Sequence, residues 1–235
     1  MKKKKWIFLI VLGVVLLTVL IIFLVKTFKK EEVDDSLIKI KTNMIENLNN
    51  FSYDSLVSVS FYGAKTDINL NCKEDRVNKL GYCYVTSNFV NIEEYIDYNN
   101  NATYSKSDLI SSFNNSNEWK KEVKEVQDVP MLKMVDKMII QKKEKTDDGV
   151  LYSGVVNGNS FSSMIKSAWQ ANSKLNVLSS LGKKVPIQVF VNNNNNIEYI
   201  NSDFSVLGIK ITINVKFHDF NNTSSITLPG EINGL

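Results

Sequence analysis

This 235-residue chain has one histidine and two cysteines, and the positions of its candidate catalytic residues do not favour a catalytic site. His218 is the single histidine, so a Ser-His-Asp or Cys-His arrangement would have to depend on it. It falls on the polar face of a predicted strand, where a solvated surface histidine is the simpler interpretation. Glu93 and Glu94 are neighbours in another predicted strand, so their side chains point to opposite faces and do not form a convergent acid–base pair. We expect no enzymatic activity.

The sequence contains no complete motif for binding a metal or a phosphate group. Asp147-Asp148-Gly149 is typical of a hairpin turn, because the other positions of a calcium-binding loop are lacking. Two cysteines and one histidine are fewer than the four ligands of a structural zinc site. The ten glycines form no phosphate-binding motif. We therefore expect neither a metal nor a cofactor.

Cys72 and Cys83 lie at matching positions of a predicted β-hairpin. Both segments alternate in polarity, and pairing the two cysteines places Leu70 opposite Val85, so the apolar faces of the two strands coincide. Directly opposed side chains come close enough for a disulfide after a modest twist of the strands. A disulfide would place the domain in an oxidising, extracytoplasmic compartment. The alternative is a pair of buried free thiols in a cytosolic protein.

Trp6 to Val25 form an uninterrupted apolar segment that follows Lys2–Lys5. At about 1.5 Å per residue, such a segment makes a helix of roughly 30 Å, the thickness of the hydrocarbon core of a bilayer. A cleaved secretory signal has a shorter apolar region and a small-x-small cleavage site, which is not found here. We expect an uncleaved signal anchor. Residues 1–30 would then comprise cytoplasmic lysines and a single-pass transmembrane helix, and residues 31–235 one extracytoplasmic domain.

The lysines of the N-terminal segment dominate the net charge. The chain carries +3, but residues 1–30 hold seven lysines and no acidic residue, which leaves 21 basic and 25 acidic residues beyond them. A nucleic-acid-binding domain concentrates an excess of Lys and Arg on one face. We therefore expect no nucleic-acid partner. Lysines lie on both sides of the apolar segment, so its expected orientation depends on the cysteine pair.

The domain after the anchor is predicted to contain both helices and strands. Helices are expected over residues 34–51 and after Ser160, where apolar residues recur at helical spacing. Further helices are expected over 118–127 and 131–140, on either side of Pro130, and over 173–181, before Gly182. The strands are expected over residues 55–62, 66–72, 82–87, 90–98, 103–105, 150–156, 185–191, 197–204 and 209–217. Sequential hairpins indicate an antiparallel meander. The predicted fold class is α+β: an N-terminal transmembrane helix, then a curved antiparallel sheet with helices packed against one face.

The order of these elements resembles that of bacterial lipoprotein-carrier (LolA/LppX-type) domains. The similar positions are Glu94-Tyr95-Ile96-Asp97, Tyr104, Trp119-Lys120, Val185-Pro186-Ile187-Gln188-Val189, Ile209–Phe217, Asp219-Phe220-Asn221 and Ile226–Ile232. The resemblance implies an unclosed β-barrel whose concave face is lined by apolar residues, covered by helices and able to hold acyl chains. Many such domains are anchored through a lipidated N-terminal cysteine. This chain departs from that pattern, so local binding is expected rather than shuttling between membranes.

Two functions follow as expectations. The first is a membrane-anchored, non-enzymatic binding domain that holds a lipid or another amphiphile in an apolar cavity lined by Val57, Phe61, Trp169 and Ile211. The second is an interaction or assembly subunit of a bacterial envelope complex, with a filled core and no small-molecule ligand. The high content of Asn, Lys and Ile is typical of an AT-rich bacterium, and we expect a Gram-positive one.

Overall fold

The structure is a computed structural model that describes residues 35–88, 90–109, 118–123, 129, 132–158, 184–206 and 208–232. Three sequence-based predictions lie outside these residues: the anchor from Trp6 to Val25, the helix after Ser160 that includes Trp169, and the helix over 173–181. No helix in the described part of the chain is long and apolar enough to cross a membrane.

Eleven strands form one sheet in which every neighbouring pair is antiparallel. The strands are β1 Asn50–Phe61, β2 Ala64–Asp75, β3 Leu80–Ser87, β4 Val90–Asp97, β5 Ala102–Leu109, β6 Lys120–Val123, β7 Ile139–Lys145, β8 Gly149–Asn157, β9 Lys184–Asn192, β10 Ile197–Val206 and β11 Ile209–His218. Their order is β6-β5-β4-β3-β2-β1-β11-β10-β9-β8-β7. Two meanders, β1 to β6 and β7 to β11, are therefore joined by the pairing of β1 with β11.

Tight turns connect the strands where the sequence allows positive φ angles. Tyr62 and Gly63 join β1 to β2 with φ of 47° and 86°, as a two-residue hairpin with a right-handed strand twist requires. Between β9 and β10, Asn195 has φ of 59°. There the Asn192 Oδ1 accepts hydrogen bonds from the backbone N–H groups of Asn194 and Asn196, at 3.0 and 3.1 Å. The asparagine run is a turn, as predicted from the tolerance of Asn for left-handed geometry.

The two faces of the sheet differ in burial. On the core face, Val57 of β1 pairs with Ile213 of β11, and these side chains are 1% and 0% exposed. On the outer face, Asp54 pairs with Lys216, and both side chains are exposed. This alternation is the period-two pattern of an antiparallel sheet with one solvated face.

Short helices pack against the core face. Helix α1 (Ser36–Asn47) contributes Leu37 and Met44, which are 1% and 2% exposed, to the same apolar cluster as the strands. Helix α2 (Lys133–Asp136) contributes Met134 and Val135 to that cluster. An ion pair between Lys41 and Asp136 connects the two helices.

The predicted fold class was wrong. The fold is a large, mostly antiparallel sheet with few helices among the described residues, and it contains no transmembrane helix there. Where a helix was expected over 118–127, β6 begins at Lys120 and hydrogen-bonds to the edge of β5. Where a helix was expected over 131–140, α2 is only four residues long and β7 begins at Ile139 to pair with β8. In both places pairing with a neighbouring strand overrides the local helical spacing.

Residues 219–232, the C-terminal strap, cross the outer face of the first meander. Asn221 N–H donates to the Asn50 carbonyl at 2.8 Å, and Thr223 N–H donates to the Asn50 Oδ1 at 2.8 Å. Further along, Ile226 N–H donates to the Asp75 carboxylate at 3.1 Å. The strap ends in a 3-10 turn, Gly230–Ile232, where Ile232 packs against buried residues of β5. Backbone donors and apolar contacts together hold the strap on the sheet.

Candidate functional site

The residues predicted to line a ligand cavity lie on the core face as far as the structure describes them. Val57 and Phe61 lie on β1, and Ile211 lies on β11 opposite Val59. Val57 is 1% exposed and Ile211 is 7% exposed, so both are packed in the apolar core, whereas Phe61 is 47% exposed at the end of its strand. Trp169, the fourth predicted residue, lies outside the described residues.

Several apolar side chains on the core face are less buried near the turns β1–β2, β3–β4 and β10–β11, whereas Val206 beside the last of these turns is 5% exposed. We call this group the apolar rim; it consists of Val59, Phe61, Ile68, Val85, Phe204 and Ile209. All but Phe61 are partly buried and pack against the main apolar cluster. The Phe61 ring lies edge-on to the Tyr62 ring, with centroids 4.4 Å apart. The apolar core face is therefore continuous from the buried interior to a partly solvated end.

A buried polar cluster lies near the opposite end of the same face. The Glu74 side chain is 1% exposed, and its two carboxyl oxygens lie 3.1 and 2.9 Å from the Tyr98 hydroxyl, which donates to them. The Arg76 guanidinium lies 5.9 Å from the Phe51 ring centroid and 5.6 Å from that of Tyr98, within cation–π range. Charged and aromatic groups thus close this end of the core face.

Two tyrosine hydroxyls in this region are held in their protonated form. Burial, followed by the charge of Glu74, raises the pKa of Tyr53 well above its ordinary value, and the same two causes in the same order raise the pKa of Tyr98. The Tyr53 hydroxyl also lies 3.6 Å from the Cys83 sulfur. Neither tyrosine is available as a base at neutral pH.

The predicted disulfide is confirmed. Cys72 and Cys83 are bonded, their Cα atoms are 4.1 Å apart, and they lie directly opposite each other on β2 and β3. Leu70 pairs with Val85 in the same ladder, as the sequence pattern predicts. Both cysteines belong to the main apolar cluster. The bond therefore fixes the register of two central strands against the core.

The acidic residues and the histidine considered for catalysis do not converge. Glu93 pairs with Tyr84 on the outer face, whereas Glu94 pairs with Cys83 on the core face. His218 lies on the outer face, where its Nδ1 is 2.9 Å from the Asp219 carboxylate. Its Nε2 lies 3.2 Å from the Asp54 carboxylate, an ion-pair distance without hydrogen-bond geometry. No group of three or more metal-binding side chains occurs among the described residues.

A groove of about 780 Å³ lies on the outer face, where the two meanders meet. It was not predicted from the sequence. Its surface is polar and apolar in about equal parts and comes from both meanders: Asp54, Ser55, Leu56, Asn69, Leu70, Asn71, Thr86, Glu198, Tyr199, Asn201, Asn214, Val215 and Lys216. Its sequence signal was the presence of asparagines at positions 69 and 71 of β2, 201 of β10 and 214 of β11, but only the β1–β11 pairing brings them together.

No protein-family model and no curated protein matches this chain. Among solved structures, it is similar to the lipoprotein LppX of Mycobacterium tuberculosis, with 11% identity over 83% of this chain and 100% of that one and a TM-score of 0.42. It is also similar to an uncharacterized conserved protein of Thermus thermophilus, with 10% identity, coverage of 80% and 90%, and a TM-score of 0.43. A LolA superfamily protein of Nitrosomonas europaea gives 8% identity, coverage of 85% and 96%, and a TM-score of 0.32. The fold resembles the LolA/LppX type, as the sequence suggests, and the likeness concerns the fold alone.

Proposed function

We propose that residues 31–235 form a non-enzymatic, extracytoplasmic binding domain that holds an acyl chain of a lipid or another amphiphile against the core face of its sheet. One observation carries this proposal. The apolar core face does not end in the buried interior but continues to the apolar rim, where Phe61 is 47% exposed. A core filled by the protein's own side chains does not require apolar surface that continues beyond it.

The apolar core face is large in comparison with the described helices that pack on it, which favours an acyl chain or another amphiphile as its ligand. The described helices that pack on it have 12 and 4 residues, against a sheet of eleven strands. An acyl chain gains about 0.8 kcal/mol for each methylene group that it buries. Ten buried groups would give about 8 kcal/mol before the costs of association are subtracted, enough for measurable affinity. The polar cluster around Glu74 supplies no equivalent apolar surface, so we place the chain nearer the rim.

The disulfide supports the proposed compartment. Cys72 and Cys83 are both buried and bonded in the centre of the first meander. Such bonds persist in oxidising environments and are rare in reducing cytosol. We therefore place the domain outside the cytoplasm, beside a source of lipid.

The proposal is tested by native mass spectrometry of the full-length chain, purified in detergent from the membranes of the expressing cells. We expect lipid to remain bound, and a fluorescent long-chain fatty acid to displace it. Phe61→Ser should weaken uptake of the fatty acid, because it replaces apolar rim surface with a hydroxyl group.

Val77→Ser is the matched control. Val77 is 69% exposed but lies in the turn between β2 and β3, away from the rim. This variant should take up the fatty acid like the unchanged protein. Absence of lipid from the purified protein, together with equal uptake by the Phe61 and Val77 variants, would overturn the proposal in favour of an interaction subunit with a filled core.

A further inference from the structure

The outer-face groove is built from two rows of side chains that cross the sheet. One row runs Thr86, Asn69, Leu56, Asn214 and Asn201, each paired with the next across neighbouring strands. The adjacent row runs Asn71, Asp54, Lys216 and Tyr199. Strands lie about 4.8 Å apart, so the longer row extends over roughly 19 Å. The groove is therefore long enough for an extended ligand, and its volume of about 780 Å³ falls within the usual range for ligand sites.

The amides in this groove form no hydrogen bond within the part of the chain that the structure describes. Asn69, Asn71, Asn201 and Asn214 make no side-chain hydrogen bond to any described residue. Each therefore presents one acceptor oxygen and two donor hydrogens outward. Asparagine is also depleted in β-strands, so the presence of these four asparagines in β2, β10 and β11 runs against the β-propensity of this residue type.

In the next row of the same face, the polar side chains form hydrogen bonds and an ion pair. Ser58 donates to Asp67 at 2.6 Å, and Thr212 donates to Asp203 at 3.4 Å. Lys210 forms an ion pair with Asp203 at 3.2 Å. The polar groups of this neighbouring row are therefore paired with one another, whereas the amides of the groove are not.

Leu56 and Tyr199 also contribute apolar surface to the groove. Leu56 lies between Asn69 and Asn214 in the row and is half-buried. The Tyr199 ring is stacked on the Phe190 ring, with centroids 5.1 Å apart and an angle of 10° between the planes. Amide groups beside the apolar Leu56 side chain and a stacked aromatic ring match a molecule with hydroxyl edges and apolar C–H faces.

Charge narrows the class of ligand further. The lining includes one cation, Lys216, and two anions, Asp54 and Glu198. This balance does not attract polyanions, which require an excess of Lys and Arg. We propose that the groove binds an uncharged oligosaccharide, with the four amides hydrogen-bonding its hydroxyl groups and Tyr199 contacting a sugar ring.

This site is separate from the proposed lipid site. The groove lies on the outer face and the apolar rim on the core face, with the sheet between them. A sugar head group attached to an amphiphile on the core face lies on the other side of the sheet from the groove. The ligand is therefore a free or surface-attached glycan chain, and the two proposals succeed or fail independently.

The test is calorimetric titration of the full-length chain with uncharged tetrasaccharides of glucose, N-acetylglucosamine, galactose and mannose. We expect at least one to bind. Asn69→Thr combined with Asn214→Thr should weaken that binding at least about ten-fold, because two hydrogen-bonding amides are lost while strand propensity is kept. Tyr199→Ala should also weaken it, and Tyr199→Phe should restore most of the affinity.

Asn91→Thr is the matched control. Asn91 lies on β4, pairs with Thr86 on the outer face and does not line the groove. Its substitution should leave the affinity unchanged. Failure of all four tetrasaccharides to bind, equal affinity of the double variant, or tighter binding of a sulfated oligosaccharide of the same length would each overturn the proposal.

Discussion

The hydroxyl group of Tyr98 donates to the buried carboxyl group of Glu74, at 2.9 and 3.1 Å from its two oxygens. Tyr98 follows β4, and Glu74 lies near the end of β2, with β3 between these strands. A buried carboxyl group is costly unless hydrogen bonds replace its lost hydration. This contact therefore contributes to the stability of the end of the core face that lies opposite the rim.

Tyr98→Phe removes only the hydroxyl group. We expect the free energy of unfolding to fall by about 1–3 kcal/mol, because the carboxyl group stays buried and loses this donor. Urea denaturation followed by circular dichroism measures the change. Tyr62→Phe makes the same chemical change at a side chain that is 90% exposed, and should leave the stability unchanged. Equal effects of the two substitutions would contradict the assigned role of Tyr98.

Reduction of the disulfide should destabilise the domain. Cys72 and Cys83 are 11 positions apart, and closing a loop of this length stabilises by about 3 kcal/mol in the chain-entropy model. We expect urea to unfold the reduced protein at a lower concentration than the oxidised protein. Cys72→Ala with Cys83→Ala should be insensitive to reductant and serves as the control. A reductant effect that persists in this double variant would show that the bond is not its cause.

Tyr82 should lose its hydroxyl proton at a higher pH than an ordinary tyrosine. Burial, followed by the charge of Glu93, raises the pKa of Tyr82 to about 12 from an ordinary value of 10.0. Because the folded-state pKa lies above the unfolded one, the stability from this group is fully present below pH 10 and is lost as the pH rises toward 12. Spectrophotometric titration of Tyr82→Phe should lack one tyrosine that ionises near pH 12.

Glu93→Gln provides a second measurement on the same pair. Removing this charge should lower the pKa of Tyr82, and also that of Tyr95, which burial and then Glu93 raise. The matched control is Asp108→Asn, which removes an exposed carboxylate from the neighbouring strand β5. An identical titration curve for Glu93→Gln and the unchanged protein would exclude this electrostatic coupling.

Asp75 should hold the C-terminal strap in place. Burial acts to raise its pKa, but hydrogen bonds from the backbone and side chain of Asn78 and from the backbone of Ile226 lower the pKa of Asp75 overall. Its contribution to stability is therefore present above pH 3.8 and lost as the pH falls through the lower, folded-state pKa. We expect Asp75→Ala to speed amide hydrogen exchange at Ile226.

Asp97→Ala is the control for this effect. Asp97 accepts hydrogen bonds from the backbones of Asn99 and Asn100, as Asp75 does in its own turn, but none from the strap. Both substitutions should therefore destabilise a turn. Only Asp75→Ala should let the Ile226 amide exchange through a local opening of the strap, which costs less free energy than global unfolding. Equal hydrogen-exchange rates of the Ile226 amide in the two variants would contradict the assigned role of Asp75 in holding the strap.

The central strands were predictable because one buried face gives a local pattern. Ile211, Ile213 and Val215 alternate with polar residues along β11, and the observed burial follows the same alternation. The register of the cysteine hairpin was predictable for the same reason, since a shift by one residue would turn Leu70 away from the core.

The edge strands were not predictable. All four residues of β6, Lys-Lys-Glu-Val, are exposed, and in β7 only Ile139 and Ile140 are even partly buried. Charged edge strands prevent unwanted pairing with other chains, so they lack the apolar alternation that marks a strand. Helices were therefore predicted over 118–127 and 131–140, where the structure has β6 and the start of β7.

Alternation within about ten residues of chain was sufficient to predict the central strands, their inward faces and the disulfide register. The tertiary structure alone decided the joining of the two meanders, in which Leu56 pairs with Asn214 at a separation that no local pattern describes. That pairing brings Asn69 and Asn214 to opposite sides of Leu56 and creates the groove. It also makes one apolar face out of two half-sheets. Local periodicity records which side of a strand is buried, whereas the choice of neighbour depends on contacts between distant segments.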